Sequence, residues 1–141
     1  MDGRILIAES AAGIRFAQTA LRDQVEFVGA ENFDAAVARF DAARPDLVVV
    51  GYHFDELRPF RFIRHVRSHG RPPPIILISV LPYGLGATKE AELAAAYESL
   101  GVDEYINVFE EQRRHGAEAA CARLRRAVFA RLSGATRGRA G

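Results

Sequence analysis

A single cysteine, Cys121, has no partner within the chain for a disulfide and cannot by itself build a cysteine-based zinc site. No apolar run approaches the roughly 18 residues that span a bilayer. Met1 to Arg4 lead straight into a strand pattern, with no signal-peptide core. Together these absences predict a cytoplasmic protein. Excess charge is lacking too: 19 basic against 18 acidic residues leave a net charge of +1, which argues against general affinity for nucleic acid. Lys89 is the only lysine, so arginine carries nearly all the positive charge; genome bias suffices for that, and no function is read from it. Arginines crowd the C-terminal end, where Glu110, Glu111 and Glu118 dilute them. What is present, 49% hydrophobic and 26% charged residues in a chain of 141, is the composition of one soluble domain with a core of its own.

The chain is organised around Leu47 to Val50, an unalternating β-branched run entered through Pro45 and closed by Gly51. Such a run reads as a strand buried on both faces, in the middle of a parallel sheet covered by helices. Arg4 to Ala8 and Ile75 to Ile78 read the same way, whereas Val25 to Val28 alternates and belongs nearer an edge. Glu104 to Asn107 is a fifth strand. Between them lie helical patterns: one capped by Ser10 with Ile14, Ala17 and Leu21 inward, one capped by Asn32 with Phe33, Ala36, Val37 and Phe40 inward, and one over about 58–68 with Phe60, Ile63 and the Arg67 stem inward. A fourth runs from about Ala87 to Leu100, and a fifth extends to about Leu132. Alternation of this kind implies βαβ units in a doubly wound α/β domain over 1–132. The glycine-rich residues 133–141 are expected to be a disordered tail or linker. In open sheets of this class, chemistry collects at the carboxyl ends of the strands. The residue that the central strand delivers there, Gly51, carries no reactive side chain.

Four segments suggest a family: Arg4 to Ser10, Pro45 to Gly51, Pro74 to Ser79, and Gly101 to Val108. Their order and composition resemble the receiver domain of bacterial two-component response regulators (CheY-like) over roughly residues 3–132. The resemblance implies a flavodoxin-like (βα)5 fold with a five-stranded parallel sheet in the order 2-1-3-4-5. In that family an acidic pair after the first strand and an aspartate ending the third bind Mg²⁺, and the aspartate accepts phosphate. A Thr or Ser ends the fourth strand, and a Lys followed by Pro ends the fifth. Here Glu9 matches the first acid, but Ser10 stands at the second, Gly51 at the phosphoacceptor and Val108 at the lysine, with Phe109 in place of the proline. Ser79 matches the hydroxyl, and Tyr105 the aromatic position coupled to it in switching.

The chemistry of those residues points the same way. A hard divalent ion needs several oxygen ligands, and one carboxylate supplies few. Phosphoryl transfer is mostly positioning and charge neutralisation, and both nucleophile and countercharge are missing. The expectation is a pseudo-receiver without catalytic residues, resident metal or cofactor, whose degenerate pocket comprises Glu9, Ser10, Gly51, Ser79 and Val108. Such a module would bind another signalling protein, or itself as a homodimer, through the fourth helix, the Tyr105 strand and the last helix. On that helix Phe129 falls off the apolar stripe beside Arg125, which suits a partner surface as well as it suits a solvated face. Membrane and nucleic-acid partners are not expected. Two alternatives stay open: a small-molecule sensor using the emptied crevice, and a relocated phosphoacceptor at Asp55 or His53. His65, His69 and His115 are too scattered in sequence to read as a metal cluster with His53 and default to surface histidines. Cys121, on the apolar stripe, reads as packed. The stretch from Ser79 to Gly101 is longer than the family's, the excess falling around Leu81 to Gly86 with Tyr83 and Leu85 as candidate contacts.

Overall fold

A computed structural model describes residues 3–22, 24–55, 58–80 and 87–140. Along the chain, β1 (Arg4–Ala8), α1 (Ala11–Leu21), β2 (Glu26–Ala30), α2 (Phe33–Ala43), β3 (Leu47–Gly51) and α3 (Pro59–Arg67) are followed by β4 (Ile75–Ser79), α4 (Ala87–Ser99), β5 (Glu104–Asn107), α5 (Val108–His115) and α6 (Ala117–Ala140). All strand pairs are parallel, and the sheet order is β2-β1-β3-β4-β5. This is the doubly wound, flavodoxin-like arrangement, with its order reversing beside β1 and β3. Leu47, Val48, Val49 and Val50 are wholly buried because helices cover both faces of the sheet. Each such side chain contributes roughly 1.5–3 kcal/mol relative to an exposed one.

The two faces bury different chemistry. One core, under α1 and α6, is almost wholly aliphatic, built on Ile5, Ile7, Leu47, Val49, Ile76 and Leu124. The other, under α2 and α3, is aromatic, with Phe40 edge-on to Phe62 at 6.1 Å and Phe54 beside Phe62 at 5.9 Å. Caps fall where the side chains call for them. Ser10 Oγ accepts from Gly13 N at 3.3 Å, and Asn32 Oδ1 accepts from Ala35 N at 2.9 Å.

Two local readings are corrected. On α3 the inward face is Phe62, Ile63 and Val66, with Phe60 only partly buried and Arg67 exposed. The buried stripe is Pro59, Phe62, Ile63 and Val66, spaced i, i+3, i+4 and i+7, and Phe60 falls beside it. The single last helix is two, because Asn107 caps α5 directly at the end of β5 and Gly116, at φ +91°, breaks the helix before α6. α6 then runs over Ala117–Ala140. The segment Leu81 to Gly86, with Tyr83 and Leu85, lies outside the described residues. No helix among the described residues is long and apolar enough to cross a membrane.

Candidate functional site

The carboxyl ends of β1, β3 and β4 converge on one side chain. Glu9, the residue after β1, is completely buried, and its amide donates to Ala30 O at 3.1 Å. Its carboxylate folds inward rather than toward solvent: Oε1 accepts from Ser10 N at 2.7 Å, and Oε2 has no hydrogen-bond partner among the described residues. Two glycines from distant parts of the chain make this placement possible. A Cβ on Gly51, at the end of β3, would overlap the Glu9 carboxylate, and a Cβ on Gly13, in the first turn of α1, would overlap Glu9 Cγ. The space that any side chain at position 51 would enter is therefore taken by Glu9. Burial pushes the Glu9 carboxyl up to about 7, against the opposing pull of its hydrogen bonds to Ser10.

The other expected pocket residues are distributed unevenly. Ser79 is buried at the end of β4, paired in register with Asn107 of β5. Ser10 is partly exposed and serves as the α1 cap. Val108 is buried in the aliphatic core as the first residue of α5, so its side chain helps pack the domain and does not supply a charge. This donor set does not fit Mg²⁺, the ion that the receiver resemblance implies. One carboxyl, raised to about 7 and seated against Gly51, and a hydroxyl already occupied as a helix cap do not make a hard-cation cage.

The two residues beyond β3 considered as substitute acceptors are both engaged with neighbours. Asp55, at φ +51°, is ion-paired with Arg61 at 3.9 Å. His53 is partly buried, stacks edge-on with Tyr52 at 5.3 Å, and is held below the usual histidine range by burial. On the flank, Tyr105 is partly buried against the aromatic core. Phe129 is packed against the aliphatic core, and Arg125 Nε donates to Ala20 O in α1 at 2.8 Å. The expectation that Phe129 and Arg125 face away from the core is therefore corrected, because α6 lies closer along α1 than a single stripe of Ala117, Cys121, Leu124, Val128 and Leu132 requires. Cys121 is partly buried against the same core.

Two features of functional interest were not expected from the sequence. Gly13 matters only because the fold carries it to Glu9. Asp41 of α2 meets His65 and His69 at the far end of α3, with all three ligand-type atoms within 4.8 Å of one another. The spacing of His65 and His69, four residues apart at a helix end, was the one available sequence signal.

Several solved structures share this fold. NtrX of Brucella abortus superimposes with a TM-score of 0.74 at 20% identity, covering 99% of this chain and 29% of that one. The fold is that of a receiver domain. The signal receiver domain ascribed to a Luxo repressor protein of Vibrio parahaemolyticus gives 0.72 at 13% identity, covering 96% and 94% of the two chains. A response regulator from Thermotoga maritima gives 0.70 at 16% identity, covering 94% and 99%. This chain thus spans nearly all of the Vibrio receiver domain and under a third of the longer NtrX chain. No protein-family model matches the sequence, and no curated protein aligns with it significantly.

Proposed function

We propose that this chain is a pseudo-receiver: a receiver-fold signalling module of a two-component-type pathway that acts by binding a protein rather than by accepting phosphate. The observation that carries this reading is Glu9 seated over Gly51. The residue resembling the family's surviving metal ligand occupies the space of the missing acceptor, is buried, and has a raised pKa. A crevice filled by its own side chain also leaves the small-molecule reading without its cavity at Gly51, and the Arg61 pairing of Asp55 weighs against a relocated acceptor.

The partner surface we assign is the flank formed by Ala91 and Ala94 of α4, Tyr105 of β5, Glu110 and Arg114 of α5 and Arg123 of α6, which together line a shallow recess. Its mixed charge, an aromatic edge and small residues suit another protein surface better than a polyanion. The test is an amide-resolved NMR titration with Mg²⁺ and then with Mg²⁺ plus beryllofluoride, a mimic of an acyl phosphate. Unchanged resonances for Glu9, Ser10, Gly51 and Ser79 are expected. A concerted shift of these that reaches Tyr105 would show a working phosphoryl switch and overturn the reading.

A further inference from the structure

We infer that Asp41, His65 and His69 form a binding site for a borderline divalent transition-metal ion of the Zn²⁺ class, at the end of the domain opposite the Glu9 crevice. Helices of a doubly wound sheet end near the amino ends of the strands that follow them, so the last turns of α2 and α3 meet there. Asp41 Oδ1 lies 3.1 Å from His65 Nε2 and 3.5 Å from His69 Nε2. Two ligands about 2.0–2.1 Å from a tetrahedral zinc ion stand about 3.3 Å apart, so these two separations match edges of such a site, while the third, between the two imidazoles and within 4.8 Å, must shorten as the ion binds.

The hydrogen bond on the other side of His69 fixes its tautomer. Its Nδ1 lies 3.0 Å from His65 O, and a carbonyl can only accept, so Nδ1 carries the proton. In a neutral ring the lone pair is then on Nε2, the atom turned toward the Asp41 carboxylate. Two acceptors facing each other are repulsive unless a proton or a metal ion lies between them, and a metal ion alone can engage both imidazoles and the carboxylate at once. A backbone carbonyl fixing the tautomer of an imidazole is the usual outer-shell support of a metal-bound histidine. The rings are held in place by packing as well, with Phe40 edge-on to His65 at 5.7 Å and to His69 at 4.8 Å. The C-terminal turn of α3 adds a favourable potential for a cation.

One carboxylate and two imidazoles select against Mg²⁺ and Ca²⁺, which want oxygen, and suit Zn²⁺, Co²⁺ or Ni²⁺. Three protein ligands leave a fourth position open. Arg44 and Arg71 line the same recess, so an anion or a metal-bound hydroxide is the fitting fourth ligand.

Calorimetric titration of the intact chain with Zn²⁺, repeated with Co²⁺ while following its visible d–d absorption, tests the site. We expect saturable binding at one ion per chain and a tetrahedral Co²⁺ spectrum. Loss of an outer-shell partner alone lowers metal affinity by about 10–100-fold. Asp41→Asn and His69→Gln should each therefore lower it by at least about tenfold, whereas His115→Gln should leave it unchanged. Absence of saturable binding by the parent protein would overturn the inference. So would equal binding by the parent, Asp41→Asn and His69→Gln proteins, which would mean adventitious surface binding only.

Discussion

The two ends of the sheet handle charge in opposite ways. At the carboxyl ends of the strands, where this fold ordinarily keeps its chemistry, a single carboxyl is buried, folded over Gly51 and raised to about 7. At the amino ends, Asp41, His65 and His69 keep their polar atoms at the surface, side by side, with Asp41 about half exposed. On the function proposed above, a titratable residue in the expected place does not by itself make a site. What matters is whether its polar atoms converge with others on a space that a ligand can enter. Glu9 fills such a space; the three residues at the far end surround one.

The most damaging way to test this contrast is Gly51→Asp. The new side chain cannot coexist with the present Glu9 rotamer, so Glu9 must swing outward and leave two carboxylates adjacent in a largely buried setting. Unpaired buried charge of this kind costs roughly 4 kcal/mol. Urea unfolding at about pH 8 should report a loss of that order. Millimolar Mg²⁺ should recover part of it, because two adjacent carboxylates supply the hard oxygen ligands that such an ion takes. A Gly51→Asp protein as stable as the parent and indifferent to Mg²⁺ would mean that Glu9 does not hold the space at Gly51.

Glu9→Gln gives a smaller and more specific effect. The folded-state pKa of Glu9 lies above its ordinary value of 4.5, at about 7, so between those values the folded chain retains a proton that the unfolded chain has released. The associated stability is fully present below about pH 4.5, falls as pH rises, and levels off above about pH 7. Relative to the parent, the Gln variant should therefore gain roughly 2–3 kcal/mol between about pH 5 and about pH 8. Denaturation curves at the two pH values read this directly. Parallel behaviour of the two proteins would place the Glu9 carboxyl in water.

Much of this architecture was legible in the sequence. The unalternating run at Leu47 to Val50 could only be a strand covered on both faces, and the caps Ser10 and Asn32 marked two helix starts. The absence of a reactive side chain at Gly51 was equally plain. The occupant of the resulting space was not, because it depends on residues 9, 13 and 51 meeting in three dimensions, and only a backbone brings them together. Phe129 misled for a related reason. Periodicity defines one stripe, but α6 packs against α5 and α1 as well as the sheet, so a residue off the stripe is still covered. Asp41 and His65 stand 24 residues apart, on two helices whose ends meet only in the folded domain.

The flank between the two ends separates packing from recognition. Phe129→Ala removes a partly buried ring and should cost about 2 kcal/mol, roughly half of a full core truncation, with no change in self-association or partner capture. Tyr105→Ala, on the assigned partner face, should weaken association more than it weakens folding. Thermal unfolding together with sedimentation of both variants decides the matter, and the reverse pattern would move the partner surface to α6.

The smallest effect is expected at the far end. Asp41→Asn breaks two exposed contacts to imidazoles, and exposed ion pairs contribute about 0–1 kcal/mol, so in the presence of a chelator the variant should unfold within about 1 kcal/mol of the parent. With Zn²⁺ in excess the two proteins should separate, since an ion that binds only the folded parent stabilises it in proportion to the logarithm of its concentration over Kd. Paired urea curves with chelator and with Zn²⁺ provide the measurement. A large loss already in chelator, unchanged by Zn²⁺, would show that Asp41 is structural, tying α2 to α3. Both ends of the sheet would then use their carboxylates for packing, and the contrast between them would disappear.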